Sequence, residues 1–289
     1  MLTALLIMVR EGFEAALVVA IVYAYLRRIG RSDLSRAMWG GVLAASVLAV
    51  AAGVVIHLTV GSLDGAARLR AFAVITLTAV CVLTWMVFWM RKQARAIKGQ
   101  LQHEIDDAVS SGGNVKAAVT AVAFFAVARE GLEAALFLIA AATEESGADV
   151  LIGGLIGLAI ASVLGYLVVL GGRRLPMATF FKVTGLMLIV FAAGLLARSV
   201  AYLQYAGDLG TVWNNVYDVT GIESLTTSTE TGRFLAAFFG WDPRPAVEQI
   251  VAWAAYLGVV SWLYLRSPRS TQPERPGHVP ASVRGATRG

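Results

Sequence analysis

Two short stretches of the sequence carry the same pattern of charged residues. Arg10-Glu-Gly-Phe-Glu-Ala-Ala-Leu17 recurs as Arg129-Glu-Gly-Leu-Glu-Ala-Ala-Leu136, with seven of eight positions identical and an offset of 119 residues. Carboxylates are hard oxygen donors, which suit iron, manganese, magnesium and calcium and disfavour copper(I). The repeat therefore predicts a cation site. Its candidate ligands are Glu11, Glu14, Glu130 and Glu133, with Arg10 and Arg129 as their charge partners.

On a helix, each motif places its arginine and both glutamates within one wedge of about 100°. The glycine falls on the other side, where a neighbouring helix can approach closely. Arg10 and Glu14 can pair as i and i+4 neighbours, and so can Arg129 and Glu133. If all six groups are ionised, their net charge of −2 neutralises one divalent ion. Protonation of some carboxylates is an alternative, and it would couple any passage of the cation through the site to pH. A purely structural cluster is another, but packing alone would not require surplus acid in both halves.

The composition indicates a membrane protein, so the helices that carry these charges are expected to lie in a membrane. Of the 289 residues, 57% are hydrophobic and 15% are charged, which excludes an ordinary soluble domain and argues against nucleic-acid binding. An ionised residue at the centre of a membrane helix costs about 2.5–3.5 kcal/mol, so the motif residues are not expected to face lipid. Seven apolar runs are each long enough to cross about 30 Å of hydrocarbon as a helix. They cover residues 2–26, 37–60, 71–90, 117–142, 148–171, 177–205 and 246–265.

The two motifs lie in the first and fourth of these runs, so equivalent points of the two copies are three spans apart. Two copies in opposite orientations form an inverted-topology repeat, an architecture of many secondary transporters. We therefore expect an all-α integral membrane protein with seven transmembrane helices. Its predicted parts are repeat A (1–90), a cytoplasmic connector (91–116), repeat B (117–205), an outer loop (206–245), helix seven (246–265) and a disordered cytoplasmic tail (266–289).

Charge in the connections predicts the orientation. Sixteen lysines and arginines lie on one side of the predicted membrane and four on the other, which places the N-terminus outside and the C-terminus in the cytoplasm of a plasma-membrane protein. The outer side is acidic and would concentrate cations. Candidates for the entry path are Glu144, Glu145, His57 and Arg198. Arg198 is expected either to reach the outer interface or to hold a carboxylate inside the protein.

The doubled Arg-Glu-Gly-x-Glu motif resembles the signature of the oxidase-dependent iron transporters, a family that includes fungal high-affinity iron permeases and bacterial EfeU-type permeases. Two further segments are similar to the bacterial branch, Thr84-Trp-Met-Val-Phe-Trp-Met-Arg91 and Gly232-Arg-Phe-Leu-Ala-Ala-Phe-Phe-Gly-Trp-Asp-Pro243. The resemblance extends over residues 1–265. It implies that the four motif glutamates bind iron on the translocation path. It also implies an extracytoplasmic oxidase, peroxidase or cupredoxin-like partner. The outer Glu-x-x-Glu of the fungal members has no clear copy here.

We therefore expect an iron permease that imports Fe²⁺ or Fe³⁺. Iron is then the transported substrate, no cofactor is permanently bound, and the protein is not an enzyme. One alternative is a proton-coupled carrier of another cation, such as manganese or a small organic amine. Another is a non-transporting membrane subunit that docks a redox partner, although charges in the middle of a span cannot reach a soluble protein.

Overall fold

The computed structural model describes residues 1–93, 114–143, 145–171 and 177–266, and within these ranges the chain is helical with no β-strand. Two single 3-10 turns, Ser32–Leu34 and Glu223–Leu225, lie in connections. The predicted connector and tail lie outside the described residues, apart from a few positions at their ends. The helices are α1 (Leu2–Arg28), α2 (Ser35–Gly61), α3 (Gly65–Gln93), α4 (Val115–Ala141), α5 (Gly147–Gly171), α6 (Met177–Tyr205), α7 (Glu230–Phe239) and α8 (Val247–Leu265).

A helix coincides with each of the seven apolar runs, which confirms the prediction of an all-α chain. Five of these helices, α2, α3, α5, α6 and α8, are long and apolar enough to cross a membrane. The chain is therefore a multi-pass membrane protein. Helices α1 and α4 have 27 residues each, or about 40 Å, and differ from the others because each carries three motif charges in its middle.

The long helices pack in pairs that combine one helix from each half of the chain. Helix α1 packs along α5, α2 along α4, and α3 along α6, while α1 and α4 contact each other between these pairs. Helices α7 and α8 both pack against α6. The most extensive hydrophobic core joins α3, α4 and α6, and includes the fully buried side chains of Phe137 and Phe191.

The glycine of each motif lies at a close approach between paired helices. A Cβ added at Gly12 would lie 2.9 Å from the Cβ of Ala161 on α5. A Cβ added at Gly131 would lie 2.8 Å from the Cβ of Ala49 on α2. Both separations are shorter than a normal carbon–carbon contact of about 3.5–4.0 Å. The prediction that these glycines admit a neighbouring helix is therefore confirmed.

The long connection between α6 and α8 contains the short helix α7. The hydroxyl of Thr229 caps its first turn by accepting a hydrogen bond from the Gly232 amide at 3.2 Å. The side chain of Phe238 is buried and stacks on Phe191 of α6, with 6.0 Å between the ring centroids. This part of the outer connection therefore packs against the core formed by the long helices.

Candidate cation site

Helices α1 and α4 contact each other, and charged side chains from both motif copies are buried close together. Four glutamates are buried, with exposures of 1% at Glu11, 8% at Glu14, 7% at Glu130 and 8% at Glu133. Arg10 is also buried, at 3%, and the side chain of Arg129 is 30% exposed. Buried glutamates are rare unless they are paired or bind a cation, so the whole cluster needs a source of positive charge.

Three of the glutamates come close enough to share one ion. A carboxylate oxygen from each of Glu11, Glu14 and Glu130 lies within 4.8 Å of the other two. Oxygens that bind one ion at about 2.0–2.6 Å lie at most about 5 Å apart, so this spacing fits a single cation. The Oε2 atoms of Glu11, Glu130 and Glu133 are buried and accept no hydrogen bond from the described residues. The group therefore has oxygen lone pairs available for a ligand.

The two arginines neutralise only part of this charge. Nη2 of Arg10 lies 3.0 Å from Oε1 of Glu14, and Nη1 also pairs with Glu11. Nε of Arg129 lies 3.0 Å from Oε1 of Glu133 and 3.9 Å from Oε1 of Glu130. Both predicted i to i+4 pairs are therefore present. With every group ionised, the four carboxylates exceed the two guanidiniums by two charges, in an environment where water screens poorly.

A cavity of about 1080 Å³ lies between the α1–α5 pair and the α2–α4 pair. Its wall is mostly apolar, and Glu11 and Glu130 are its acidic residues. Eight positions of α1, from Met8 to Tyr23, line it. The residues 119 positions later, from Val127 to Ala142, line the opposite side. The two motif copies therefore contribute equivalent surfaces to one cavity.

The candidates for an entry path do not all lie together. His57 is exposed and lines the same cavity as Glu11 and Glu130. Glu145 is buried and forms an ion pair of 2.6 Å with the amino group of Met1. Glu144 lies outside the described residues. An entry role for any of them stays a prediction.

Arg198 belongs to a different place in the fold. Its side chain is buried, and Nη1 lies 3.8 Å from Oδ2 of Asp242 in the outer connection. Both residues line a polar pocket of about 620 Å³ beneath that connection. The contact with a buried carboxylate, one of the two expectations for Arg198, is therefore present.

Sequence reasoning missed the part that α3 plays at this site. The sulfur atoms of Met86 and Met90 lie 3.5 Å and 2.6 Å from the Arg10 guanidinium nitrogens. The Arg129 guanidinium carbon lies 3.9 Å from the ring centroid of Trp89 and 5.4 Å from that of Trp85. The sequence signal for this role is the Trp-Met-x-x-Trp-Met spacing, which places each pair of like residues at i and i+4 on one face of the helix.

The family model of the iron permease FTR1 family matches residues 1–269. The chain belongs to this family. The ferrous iron permease EfeU of Yersinia pestis is 39% identical over 268 residues, covering 92% of this chain and 94% of the relative. EfeU of Escherichia coli O6:K15:H31 is 38% identical over 267 residues, covering 92% and 95%. EfeU of Shigella sonnei is 39% identical over 254 residues, covering 87% and 91%. No solved structure matches the chain at a significant level.

The comparison confirms the resemblance drawn from the doubled motif. Because the family consists of permeases, the prediction of an iron transporter rather than an enzyme is also confirmed.

Proposed function

We propose that the chain imports iron across the plasma membrane through a site formed by Glu11, Glu14, Glu130 and Glu133. The observation that carries this proposal is the convergence of three carboxylates, from two different helices, within 4.8 Å of one another. Family membership supplies iron as the cargo. The matched relatives are named for ferrous iron, which favours Fe²⁺ as the ion that enters the site.

At this site, an iron ion would replace the arginine guanidiniums as the positive charge beside the glutamates. In the described arrangement, Arg10 and Arg129 balance part of the glutamate charge. An incoming Fe²⁺ would lose hydration water, gain carboxylate oxygens as ligands, and compete with the guanidiniums for them. This competition would prevent the ion from binding so tightly that it is never released. Iron is the transported substrate here, and no permanently bound cofactor is proposed.

The architecture that we propose for this transport is an inverted repeat of three helices plus three, with α8 as a seventh span. The helix pairing supports it, because exchanging the two halves converts the α1–α5 pair into the α4–α2 pair. The packing of Gly12 on Ala161 and of Gly131 on Ala49 follows the same exchange. Such a repeat can open a central site alternately to the two sides of the membrane.

Residues 1–265 would then form one permease domain, with the N-terminus outside and the basic connector and tail in the cytoplasm. A partner outside the cytoplasm, an oxidase, a peroxidase or a cupredoxin-like protein, would carry out any redox step before iron enters. The partner follows from the family resemblance, and the orientation from the distribution of lysine and arginine.

Uptake into proteoliposomes that contain a trapped metal-quenched dye tests the proposal. Glu11→Gln and Glu130→Gln each keep the side-chain size and remove one charge from the three-carboxylate group. Glu223→Gln, an exposed glutamate of the outer connection, is the matched control. We expect Fe²⁺ to enter with the wild type and the control, and entry to be lost with either site variant. Fe³⁺ is offered separately, and Mn²⁺ is the competitor.

Equal iron entry with all four proteins would contradict the site. Entry of Mn²⁺ without iron would favour the carrier of another cation, which the same oxygen donors could serve. If the wild type passes no iron even with the extracytoplasmic partner present, the transport proposal is wrong.

A further inference from the structure

Both motif arginines contact the same short segment of α3, from Trp85 to Met90. Arg10 lies against the sulfur atoms of Met86 and Met90, which are buried. Arg129 lies over the face of Trp89, which is stacked on Trp85 with 5.9 Å between the ring centroids. Six consecutive residues of one helix therefore contact the motif arginines of both halves of the chain.

The chemistry of these contacts differs from that of the glutamate contacts. A thioether sulfur is a weak, uncharged hydrogen-bond acceptor, and an indole face attracts a cation through its quadrupole. The stretch 71–90 of α3 contains no aspartate or glutamate. The segment can thus hold a guanidinium without adding a carboxylate that would itself compete for a metal ion.

Each arginine touches both kinds of partner at the same time. The Arg129 guanidinium lies 3.9 Å from the Trp89 ring centroid while its Nε lies 3.0 Å from Glu133. Arg10 likewise touches Met90 at 2.6 Å and Glu14 at 3.0 Å. Each guanidinium can therefore leave its glutamate and keep its α3 contact by rotation about side-chain bonds, without displacement of a helix.

We infer that the Trp85–Met90 segment holds the guanidinium groups of the two motif arginines when an iron ion enters. The arginines can then release the glutamates to the ion. This inference rests on the proposed function. Trp89 and Met90 are accordingly positioning residues, which act on the ion only through Arg129 and Arg10. Without the indole, the Arg129 guanidinium has the carboxylates as its main partners and competes more strongly with iron.

Equilibrium binding of Fe²⁺ to the purified full chain, measured without oxygen, tests this inference through a double-mutant cycle. We expect Trp89→Leu to weaken Fe²⁺ binding by about 3- to 30-fold, the range that a cation–π contact supplies. Trp89→Phe keeps an aromatic face and should recover much of the affinity. In an Arg129→Gln background, which should bind Fe²⁺ at least as tightly as the wild type, Trp89→Leu should change the affinity by less than about two-fold.

A matched control and a second variant separate this role from packing. Trp262→Leu removes an indole whose ring centroid lies 3.5 Å from the Arg266 guanidinium carbon, on α8 and away from the carboxylates, and should leave Fe²⁺ binding unchanged. Met90→Leu conserves volume and removes the sulfur. It should weaken Fe²⁺ binding when Arg10 is present and not in an Arg10→Gln background.

Three results would overturn the inference while leaving the proposed function in place. They are wild-type affinity in both Trp89→Leu and Met90→Leu, an equal loss with and without the arginine, and loss of Fe²⁺ binding in Arg129→Gln. A wild-type chain that binds no Fe²⁺ would overturn the proposed function, and this inference with it.

Discussion

Replacing Gly131 with alanine tests how the two halves of the chain are packed. The added methyl group would lie 2.8 Å from the Cβ of Ala49, about 1 Å closer than a normal carbon–carbon contact. Ala49 is itself buried on α2. The overlap therefore has to be relieved by separating α2 from α4 or by bending one of them.

Two opposing effects set the stability of the alanine variant. Overpacking of this kind costs about 1–3 kcal/mol, and replacing glycine by alanine in a helix returns about 1 kcal/mol. Gly131→Ala should therefore lose about 1 kcal/mol of unfolding free energy. Ala49→Gly should lose a similar amount through helix propensity alone. Gly131→Ala combined with Ala49→Gly restores the fit and should be close to the wild type, a coupling of about 2 kcal/mol.

Reversible unfolding in mixed lipid–detergent micelles measures these differences, and iron uptake by each variant shows whether the site is affected too. Gly258→Ala on α8 is the matched control, since a Cβ there meets nothing within 4 Å. It should not destabilise the protein. If the effects of Gly131→Ala and Ala49→Gly simply add, residues 131 and 49 are not in contact and α2 does not approach α4 closely at the motif.

Three further outcomes follow from the described contacts and from the donor chemistry of the site. The Arg70 guanidinium donates two hydrogen bonds of 2.7 Å to Asp208 and lowers the pKa of that carboxyl. Arg70→Gln should raise the pKa of Asp208, which NMR of the carboxyl group measures. Because the folded-state pKa is the lower one, this pair stabilises the protein above the ordinary aspartate pKa and loses its effect as pH falls through the folded value. Tyr256→Phe removes the 2.6 Å hydrogen bond to Thr84 and should cost about 1 kcal/mol in the same unfolding assay; an unchanged value would mean that the bond does not stabilise the fold. In the uptake assay, Mn²⁺ should inhibit iron entry and Cu(I) should not, since the site offers carboxylate oxygens; strong inhibition by Cu(I) alone would contradict an oxygen site.

Much of the fold follows from local sequence because hydropathy and helical period act over neighbouring residues. The seven apolar runs locate the long helices within a few residues at most ends, and the motif spacing correctly places each glycine opposite its charged residues. The motif pairs of Arg10 with Glu14 and of Arg129 with Glu133 follow from the same period. These features need no knowledge of which helices are neighbours.

Which side chains meet across helices was decided by tertiary packing. The spacing gives the direction of a side chain around its own helix and does not identify the helix that faces it. Thus the sequence identifies four motif glutamates, while the packing of α1 against α4 brings Glu11, Glu14 and Glu130 together. The contact of Arg129 with Trp89, and that of Arg198 with Asp242, likewise join residues that are 40 or more positions apart. Such contacts depend on how whole helices pack, and neither the periodicity nor the composition of the sequence determines that packing.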